Sequence, residues 1–525
     1  MIVKIVLLLV FFAVMIGVGW YCRKSSAGVQ GFVLGGRNVG SWLTAFAFGT
    51  SYFLAVIFVG YAGQFGWKYG MSATWIGLGN ALIGSLLAWR ILGRRTRLMT
   101  QYLQSATMPD FFGQRFGSTA LKVAASVIVF IFLVPYTASL YNGLSRLFGM
   151  AFGIDYTWCV IGMAVLTGAY VWLGGYMATA VNDFIQGLIM LVGIVAVVAA
   201  VLNGNGGFTE AINRLSQIPS EAAPTLNGAF TSFLGPQPLW LLGVVLLTSL
   251  GTWGLPQMVG KFYAIRDEAA IRKGTFISTF FAIIVAGGCY FLGGFGRLYA
   301  SAIEYTAAGT PVYDSIVPSM LASLPDVMIG VVIILVLSAS MSTLSSLVLT
   351  SGSTLTLDII SPAVSRGGKT MREHSQLLCI RLLVLFFIVV SSVLAIVQAK
   401  SSVTFIAQLM GISWGALAGA FLAPFLYGLY WKRTTPAAVW ASFIVGVGVM
   451  CGCMYGTFTH HTFISPFLSS PINAGVLAML LGLVVVPLVS AFTRVRNKEA
   501  VRGMFQCYER TVTVRASTSL KEEEE

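Results

Sequence analysis

Apolar runs of about 20 residues, separated by short polar connections, follow one another along most of the chain. A run of this length is what a helix needs to cross the hydrocarbon core of a bilayer. Read with a window of about 19 residues, the pattern predicts thirteen spans, beginning near Val3, Trp42, Ala73, Leu121, Thr157, Asn182, Pro238, Gly274, Asp326, Gln376, Val403, Ala437 and Asn473. We therefore expect an all-α integral membrane protein.

The composition excludes a soluble fold. Of 525 residues, 57% are hydrophobic and 10% are charged, against roughly 25% charged in ordinary soluble domains. The net charge of +14 comes from basic residues spread over the connections between spans, and this distribution does not indicate a nucleic-acid partner. The expected partners are a small-molecule solute and membrane lipids, with no obligate protein partner evident.

The basic residues predict how the chain is oriented in the membrane. If thirteen spans are assumed, most of them fall on one side of the bilayer, for example Arg23, Arg94, Lys261 and Arg433, whereas the long loops of the other side carry acids such as Glu221. Cytoplasmic loops are the ones enriched in lysine and arginine. We therefore expect a multi-pass protein of the cell membrane, with the N-terminus outside and the C-terminus in the cytoplasm.

The second and the seventh predicted spans are interrupted near their middle. The second contains FGTSY at 48–52 and the seventh contains LGTWGLP at 250–256, where glycine and proline break otherwise apolar sequence. Because these interruptions lie five spans apart, they predict two five-helix repeats of inverted topology, each with a discontinuous first helix. Close packing of helices through small residues is the alternative explanation.

This 5+5 arrangement divides the chain into six parts. They are an N-terminal extra helix with a cytoplasmic loop (1–39), the first repeat (40–204), an extracellular loop (205–237), the second repeat (238–430), two C-terminal helices (431–494) and a polar cytoplasmic tail (495–525).

Asp183 is an acid inside the sixth predicted span. A charged side chain at the bilayer centre costs at least ~2.5 kcal/mol on insertion scales, so a carboxylate at depth indicates a function. The alternative is an acid at the start of a helix, where the helix dipole favours it. Asp326 and Asp358 lie at predicted span ends, where we expect water to solvate them.

The ninth predicted span is unusually rich in hydroxyl groups between residues 338 and 346. Helical spacing places Ser342, Ser345 and Ser346 on one face with Ala339. Sodium is a hard cation that binds several oxygens at short range, and hydroxyls together with the carbonyls of a broken helix can supply them. Hydrogen bonding between helices is the alternative use of these side chains.

Several motifs resemble those of the sodium:solute symporter family, over nearly the whole chain and in the same order. They are WLGG at 172–175, DFIQ at 183–186, FYAIR at 262–266, MSTLSS at 341–346, WGA at 414–416 and YWKRT at 430–434. The family includes bacterial sodium/proline, sodium/pantothenate and sodium/galactose symporters. The resemblance implies a LeuT-like fold with an inverted-repeat core, alternating access, and sodium as the coupling ion.

The resemblance also implies a sodium site between the second and ninth spans. Its ligands would be backbone carbonyls of Thr50, Phe53 and Ala339 and the hydroxyls of Ser342 and Thr343. Asp183 matches the family's acid near the cytoplasmic exit of the ion. A second sodium site, seen in some relatives, would use Asp183, Ser345 and Ser346.

The identity of the solute does not follow from the resemblance, because the sequence departs from the family at both breaks. Tyr52 stands where proline-transporting relatives have an acid, and Gly254-Leu255-Pro256-Gln257 replaces a common Gly-Gln-Pro. The candidate solute contacts, which line or adjoin the breaks, are Tyr52, Tyr136, Thr252, Trp253, Gln257 and Trp414. Packing between helices is the alternative role of the aromatic ones.

We therefore predict a secondary active transporter that couples sodium influx to uptake of a small organic solute, of the amino acid, organic acid, vitamin or sugar class. A proton-coupled symporter and a membrane sensor that binds the solute are the alternatives. An enzyme is not expected, because the sequence shows no metal cluster, acid pair or nucleophile with its base at membrane depth.

Overall fold

Helices make up nearly all of the structure. This computed structural model describes residues 2–26, 28–52, 54–306, 309–366, 370–399, 406–459, 461–495 and 497–509. Phe53, one of the predicted sodium ligands, lies outside the described residues.

In the first half of the chain, up to the long loop that precedes Pro238, the described residues form ten α-helices. They are α1 Ile2–Cys22, α2 Val29–Leu34, α3 Ser41–Thr50, α4 Ala62–Tyr69, α5 Thr74–Gly79, α6 Arg94–Tyr102, α7 Met108–Phe116, α8 Thr119–Phe152, α9 Tyr156–Gly204 and α10 Phe208–Ser216. A π-helical stretch, Val56–Tyr61, leads into α4, and two more, Asn80–Leu87 and Trp89–Gly93, connect α5 with α6.

The second half contributes eleven further α-helices within the described residues. They are α11 Pro238–Ser249, α12 Pro256–Ala264, α13 Glu268–Gly293, α14 Tyr313–Ala322, α15 Asp326–Thr354, α16 Ser361–Arg366, α17 Glu373–Ala399, α18 Ile406–Tyr430, α19 Pro436–Phe458, α20 Pro471–Phe492 and α21 Lys498–Phe505. A π-helical turn, Leu355–Ile360, joins α15 to α16.

The helices have the length and apolar surface of a multi-pass membrane protein. Among the described residues, ten segments are long and apolar enough to cross a bilayer, or eleven if one bent pair counts as a span. Large apolar side chains point outward, including Val192 (73% exposed) and Phe276 (69% exposed), as expected for surfaces that face lipid. The all-helical membrane fold is confirmed, whereas the count of thirteen spans stays a prediction.

Both stretches in which glycine or proline was expected to interrupt a span contain a break. In the first, α3 ends at Thr50, and helical structure resumes as the π-helical stretch Val56–Tyr61. In the second, Pro238–Gly254 and Pro256–Ala264 meet at an angle of 47°. Leu255 between them has extended backbone angles, and Pro256 begins the new helix, where its missing N–H costs no hydrogen bond.

Gly175 divides the longest helix, α9. Its 49 residues would reach about 74 Å as one straight helix at ~1.5 Å per residue, far more than the ~30 Å hydrocarbon core. At Gly175 the backbone adopts φ 52° and ψ −146°, which only glycine adopts readily. A Cβ atom there would lie 2.8 Å from the carbonyl oxygen of Phe32.

Two glycines bring the backbones of α4 and α13 into direct contact. A Cβ on Gly66 would lie 1.9 Å from the carbonyl oxygen of Gly293, and a Cβ on Gly293 would lie 2.2 Å from that of Ala62. Small residues permit such close approach between membrane helices. The second half of the first broken span is therefore held tightly against α13.

Candidate functional site

The hydroxyl-rich stretch of α15 is buried inside the protein. Every residue from 338 to 346 is buried, and α15 packs against α1, α8, α9 and α17. Its hydroxyls therefore point at other helices rather than at lipid, which is where an ion site inside the membrane has to be.

Ser342 meets the end of α3 at the first break. Its hydroxyl donates a hydrogen bond to Thr50 Oγ1 at 2.8 Å, and Ser342 is 1% exposed. One turn earlier on α15, the carbonyl of Ala339 accepts a hydrogen bond from Thr343 Oγ1 at 3.4 Å. The carbonyls of Phe48 and Gly49 in the last turn of α3 accept the N–H groups of Ser51 and Tyr52, which leaves the carbonyl of Thr50 as the candidate main-chain ligand at this helix end.

The structure thus brings Ser342 to Thr50 where α3 ends, while Ala339 and Thr343 contact each other one turn apart within α15. A buried group of hydroxyl and carbonyl oxygens of this kind can replace the water shell of a hard cation. Asp183 adjoins this group, because its carboxylate is in hydrogen-bonding contact with Ser342.

Asp183 pairs with a lysine that the sequence analysis assigned to a loop. Lys261 Nζ lies 3.5 Å from Asp183 Oδ2 and donates a hydrogen bond to Ser346 Oγ at 2.9 Å. The assignment of Lys261 to a cytoplasmic loop was wrong, because α12 continues to Ala264 and leaves the lysine 2% exposed. The proline that begins α12 was the available signal, since it shows that a helix follows the break.

The surroundings of Asp183 do not fit an acid at a helix start. It lies about two turns after Gly175, beyond the first turn where the helix dipole acts, and it is completely buried. Besides Lys261, its carboxylate contacts the hydroxyl of Ser342. Ser345, the third member of the predicted second site, donates its hydroxyl to the carbonyl of Ser342 at 2.9 Å.

Four of the candidate solute contacts form two pairs. The Tyr52 hydroxyl lies 3.0 Å from Thr252 Oγ1, which joins the first break to the second. The rings of Tyr136 and Trp414 meet edge to face, with centroids 6.0 Å apart. All four side chains are buried.

The other two candidates make different contacts. Trp253 donates its indole N–H to the carbonyl of Ile83 at 3.1 Å. Gln257 lines a small cavity of about 50 Å³ together with Lys261 and Ser346. Of the six candidates, Gln257 is the one that lines this cavity.

Asp358 is buried, contrary to the expectation that water solvates it. It accepts a hydrogen bond from Thr107 Oγ1 at 2.6 Å, and Lys122 Nζ lies 3.2 Å from its other oxygen. The helix continues through the π-helical turn Leu355–Ile360 and carries the carboxylate into a polar contact between helices. Protein groups therefore replace the water that was expected there.

A family model settles the class of protein. The model of the sodium:solute symporter family matches residues 32–446, most of the chain and all of the residues just described. The chain belongs to the sodium:solute symporter family. This symporter is a membrane transporter that couples sodium to the uptake of a solute, as the sequence analysis predicted.

Curated relatives of this symporter carry names that refer to proline. It is 28% identical to the osmoregulated proline transporter OpuE of Bacillus subtilis over 444 residues, which is 84% of this chain and 86% of the relative. It is 30% identical to sodium/proline symporter 2 of Staphylococcus saprophyticus over 454 residues, 85% of this chain and 84% of the relative.

Solved transporter structures share the fold of this symporter. A substrate-bound, outward-open Na⁺-coupled sialic acid symporter aligns with a TM-score of 0.73 at 17% identity, covering 94% of this chain and 98% of the other. MhsT in complex with L-phenylalanine aligns with a TM-score of 0.52 at 14% identity, covering 86% and 98%. At these identities the likeness concerns the fold alone.

Proposed function

We propose that this symporter takes up a small amino acid without net charge, driven by sodium bound where α3 ends. The ion would be held by main-chain oxygens of Thr50 and Ala339 and by the hydroxyls of Ser342 and Thr343. The observation that carries the proposal is the 2.8 Å contact between Ser342 Oγ and Thr50 Oγ1, which joins α15 to the first break. The carbonyl of Phe53 remains a predicted further ligand.

The solute class follows from the side chains at the two breaks. None of the six candidate contacts is charged, so the site offers hydrogen-bonding groups and aromatic faces rather than a counter-ion. Such a site favours a zwitterion over an anion or a cation, because a buried net charge without a partner is costly. Proline is the first solute to test, since relatives with similar sequences are proline transporters.

We also propose thirteen spans with two inverted five-helix repeats, residues 40–204 and 238–430. The apolar run Val56–Tyr102 has 47 residues, enough for two crossings, and Gly70 interrupts it with φ 61° and ψ −137°. Ten segments become eleven when the run is divided at Gly70. The bent pair Pro238–Gly254 and Pro256–Ala264 is the twelfth span, and the shorter apolar helix Tyr156–Ala169 is the thirteenth. An odd number of helices per repeat inverts the second copy, which suits alternating access.

The driving force is sufficient for concentrative uptake. One positive charge entering down ~100 mV supplies about 2.3 kcal/mol, and a tenfold sodium gradient adds roughly 1.4 kcal/mol. One sodium per solute therefore supports accumulation of about several hundredfold. On the inward side, the ion would pass Asp183 on its way out without being bound there.

The test is uptake of radiolabelled L-proline into proteoliposomes with an inward sodium gradient. Ser342→Ala removes a proposed ligand and is expected to lower the initial rate at least about tenfold, a loss typical of removing a strong interaction worth about 1.4 kcal/mol or more. Ser340→Ala is the matched control, because Ser340 lies on the same helix, is equally buried and faces another direction two residues away.

Three outcomes would contradict the proposal in different ways. Unchanged uptake by the Ser342→Ala protein would remove the sodium site. Uptake driven by a proton gradient without sodium would favour proton coupling. Solute binding to the reconstituted protein without any transport would favour a sensor.

A further inference from the structure

We infer that Lys261 supplies, from within the chain, the positive charge that a second sodium would bring to Asp183, so that this symporter binds a single sodium ion. The inference rests on the proposed function, because it concerns how many ions accompany the solute. It assigns a role to a residue outside the predicted site.

The side chain of Lys261 lies among the residues that were predicted to bind a second sodium ion. Its ammonium lies 2.9 Å from Ser346 Oγ and 3.5 Å from Asp183 Oδ2, and these are two of the three side chains predicted for a second sodium. Lys261 is 2% exposed and Asp183 is fully buried. An ammonium group and a sodium ion carry the same charge and bind the same oxygens, so the lysine takes up two of the contacts that a second ion would need.

One carboxylate does not compensate two buried cations at once. A sodium ion at Asp183 would lie within a few ångströms of the ammonium, and like charges repel strongly where water is largely excluded. Asp183 is the only described acid that pairs with Lys261. The ammonium also lies 5.5 Å from the centre of the Tyr176 ring, a weaker contact that a cation favours.

The surroundings explain why the lysine is in reach of this site. Lys261 follows the second break on α12, and Ser346 lies on α15 with Asp183 on α9. The cavity of about 50 Å³ beside Lys261 and Ser346 has room for a few water molecules, so the ammonium need not give up all its hydration. In this conformation the chain neutralises the acid with its own lysine, without a sodium ion at Asp183.

The experiment counts the sodium ions bound by the purified full-length protein, with radioactive sodium alone as the probe. We expect the wild type to saturate at one ion per chain. Lys261→Ala removes the internal cation while leaving Asp183, Ser345 and Ser346 in place, and it is expected to bind one ion more than the wild type. Lys261→Arg keeps the charge and is expected to keep the wild-type count.

A double variant shows where the additional ion binds. In Lys261→Ala combined with Asp183→Asn, the carboxylate is also gone, and the count should return to that of the wild type. Gel filtration of each variant checks folding, and Lys261→Gln serves as a second neutral variant that can still donate a hydrogen bond to Ser346. An unchanged count in a folded neutral variant would overturn the inference.

The wild-type count tests the inference without any substitution, since two ions bound with Lys261 in place would overturn it. The proposed function fails separately, if the wild type binds no sodium at all. In that case a gain of one ion in Lys261→Ala would still support the role of the lysine.

Discussion

At the scale of single residues, one hydrogen bond connects the two breaks. The Tyr52 hydroxyl and Thr252 Oγ1 are 3.0 Å apart although they lie in different broken spans. A typical hydrogen bond contributes only about 1 kcal/mol net. A polar solute can therefore displace this bond at little cost, and we expect both groups to bind the solute once the two breaks separate.

Replacing Tyr52 by phenylalanine tests this expectation. Loss of the hydroxyl removes one hydrogen bond to the solute, so the KM for sodium-driven L-proline uptake should rise about fivefold to tenfold, the equivalent of about 1 kcal/mol. Sodium binding without solute should not change. Tyr290→Phe is the control, because Tyr290 is equally buried and its hydroxyl has no hydrogen-bond partner within the described residues. An unaltered KM in Tyr52→Phe would exclude Tyr52 from the solute site.

Helical spacing predicted that Ser342, Ser345 and Ser346 share one face of a helix, because a repeat of three or four residues is a property of the helix itself. Every residue from 338 to 346 is buried, so burial alone does not single out that face. The contacts of Lys261 and Asp358 depended on how far a helix continues beyond a break or a predicted end. Helix ends are the least accurate part of a secondary-structure prediction from sequence. For this reason both side chains were predicted to be exposed to water.

At the scale of helices, glycine conformations decide where long apolar runs are interrupted. Gly175 has backbone angles that other residues adopt only at a cost, and the side chain and carbonyl of Phe32 fill the space next to it. The sequence pattern alone placed a boundary nearby, since it predicted a new span near Asn182. It could not show that the two helices meet at Gly175 without an intervening loop.

Gly175→Ala is expected to destabilise the protein. Backbone strain of this kind costs about 1–3 kcal/mol, and the new Cβ would in addition lie 2.7 Å from the Phe32 ring. The measurement is the apparent melting temperature in detergent, which should fall by several degrees. Gly162→Ala on the same helix is the control, since a Cβ at Gly162 has no atom within 4 Å. Equal melting temperatures for both variants would show that the break tolerates a side chain.

At the scale of the whole molecule, the fold was largely predictable and the orientation is still to be measured. The composition required a membrane, and long apolar runs gave the helices, because a bilayer allows few other structures. The solute site was less predictable. Its six candidates come from four distant stretches of sequence, and which of them meet depends on tertiary packing that no local pattern records.

The predicted orientation is tested by tagging both ends. Basic connections favour a cytoplasmic location, so a green fluorescent protein fused to the C-terminus should fluoresce, and a short epitope at the N-terminus should bind antibody on intact cells. With an even number of spans both termini would lie on the same side. Such a result would contradict both the orientation and the count of thirteen.

At Gly66 and Gly293 the backbones of α4 and α13 touch each other directly. This contact limits how the two helices can move relative to each other. No layer of side chains separates the two helices there, so neither can slide past the other by changing rotamers. Any displacement of α4 at this point therefore has to be shared by α13, so the backbone contact couples the two helices mechanically.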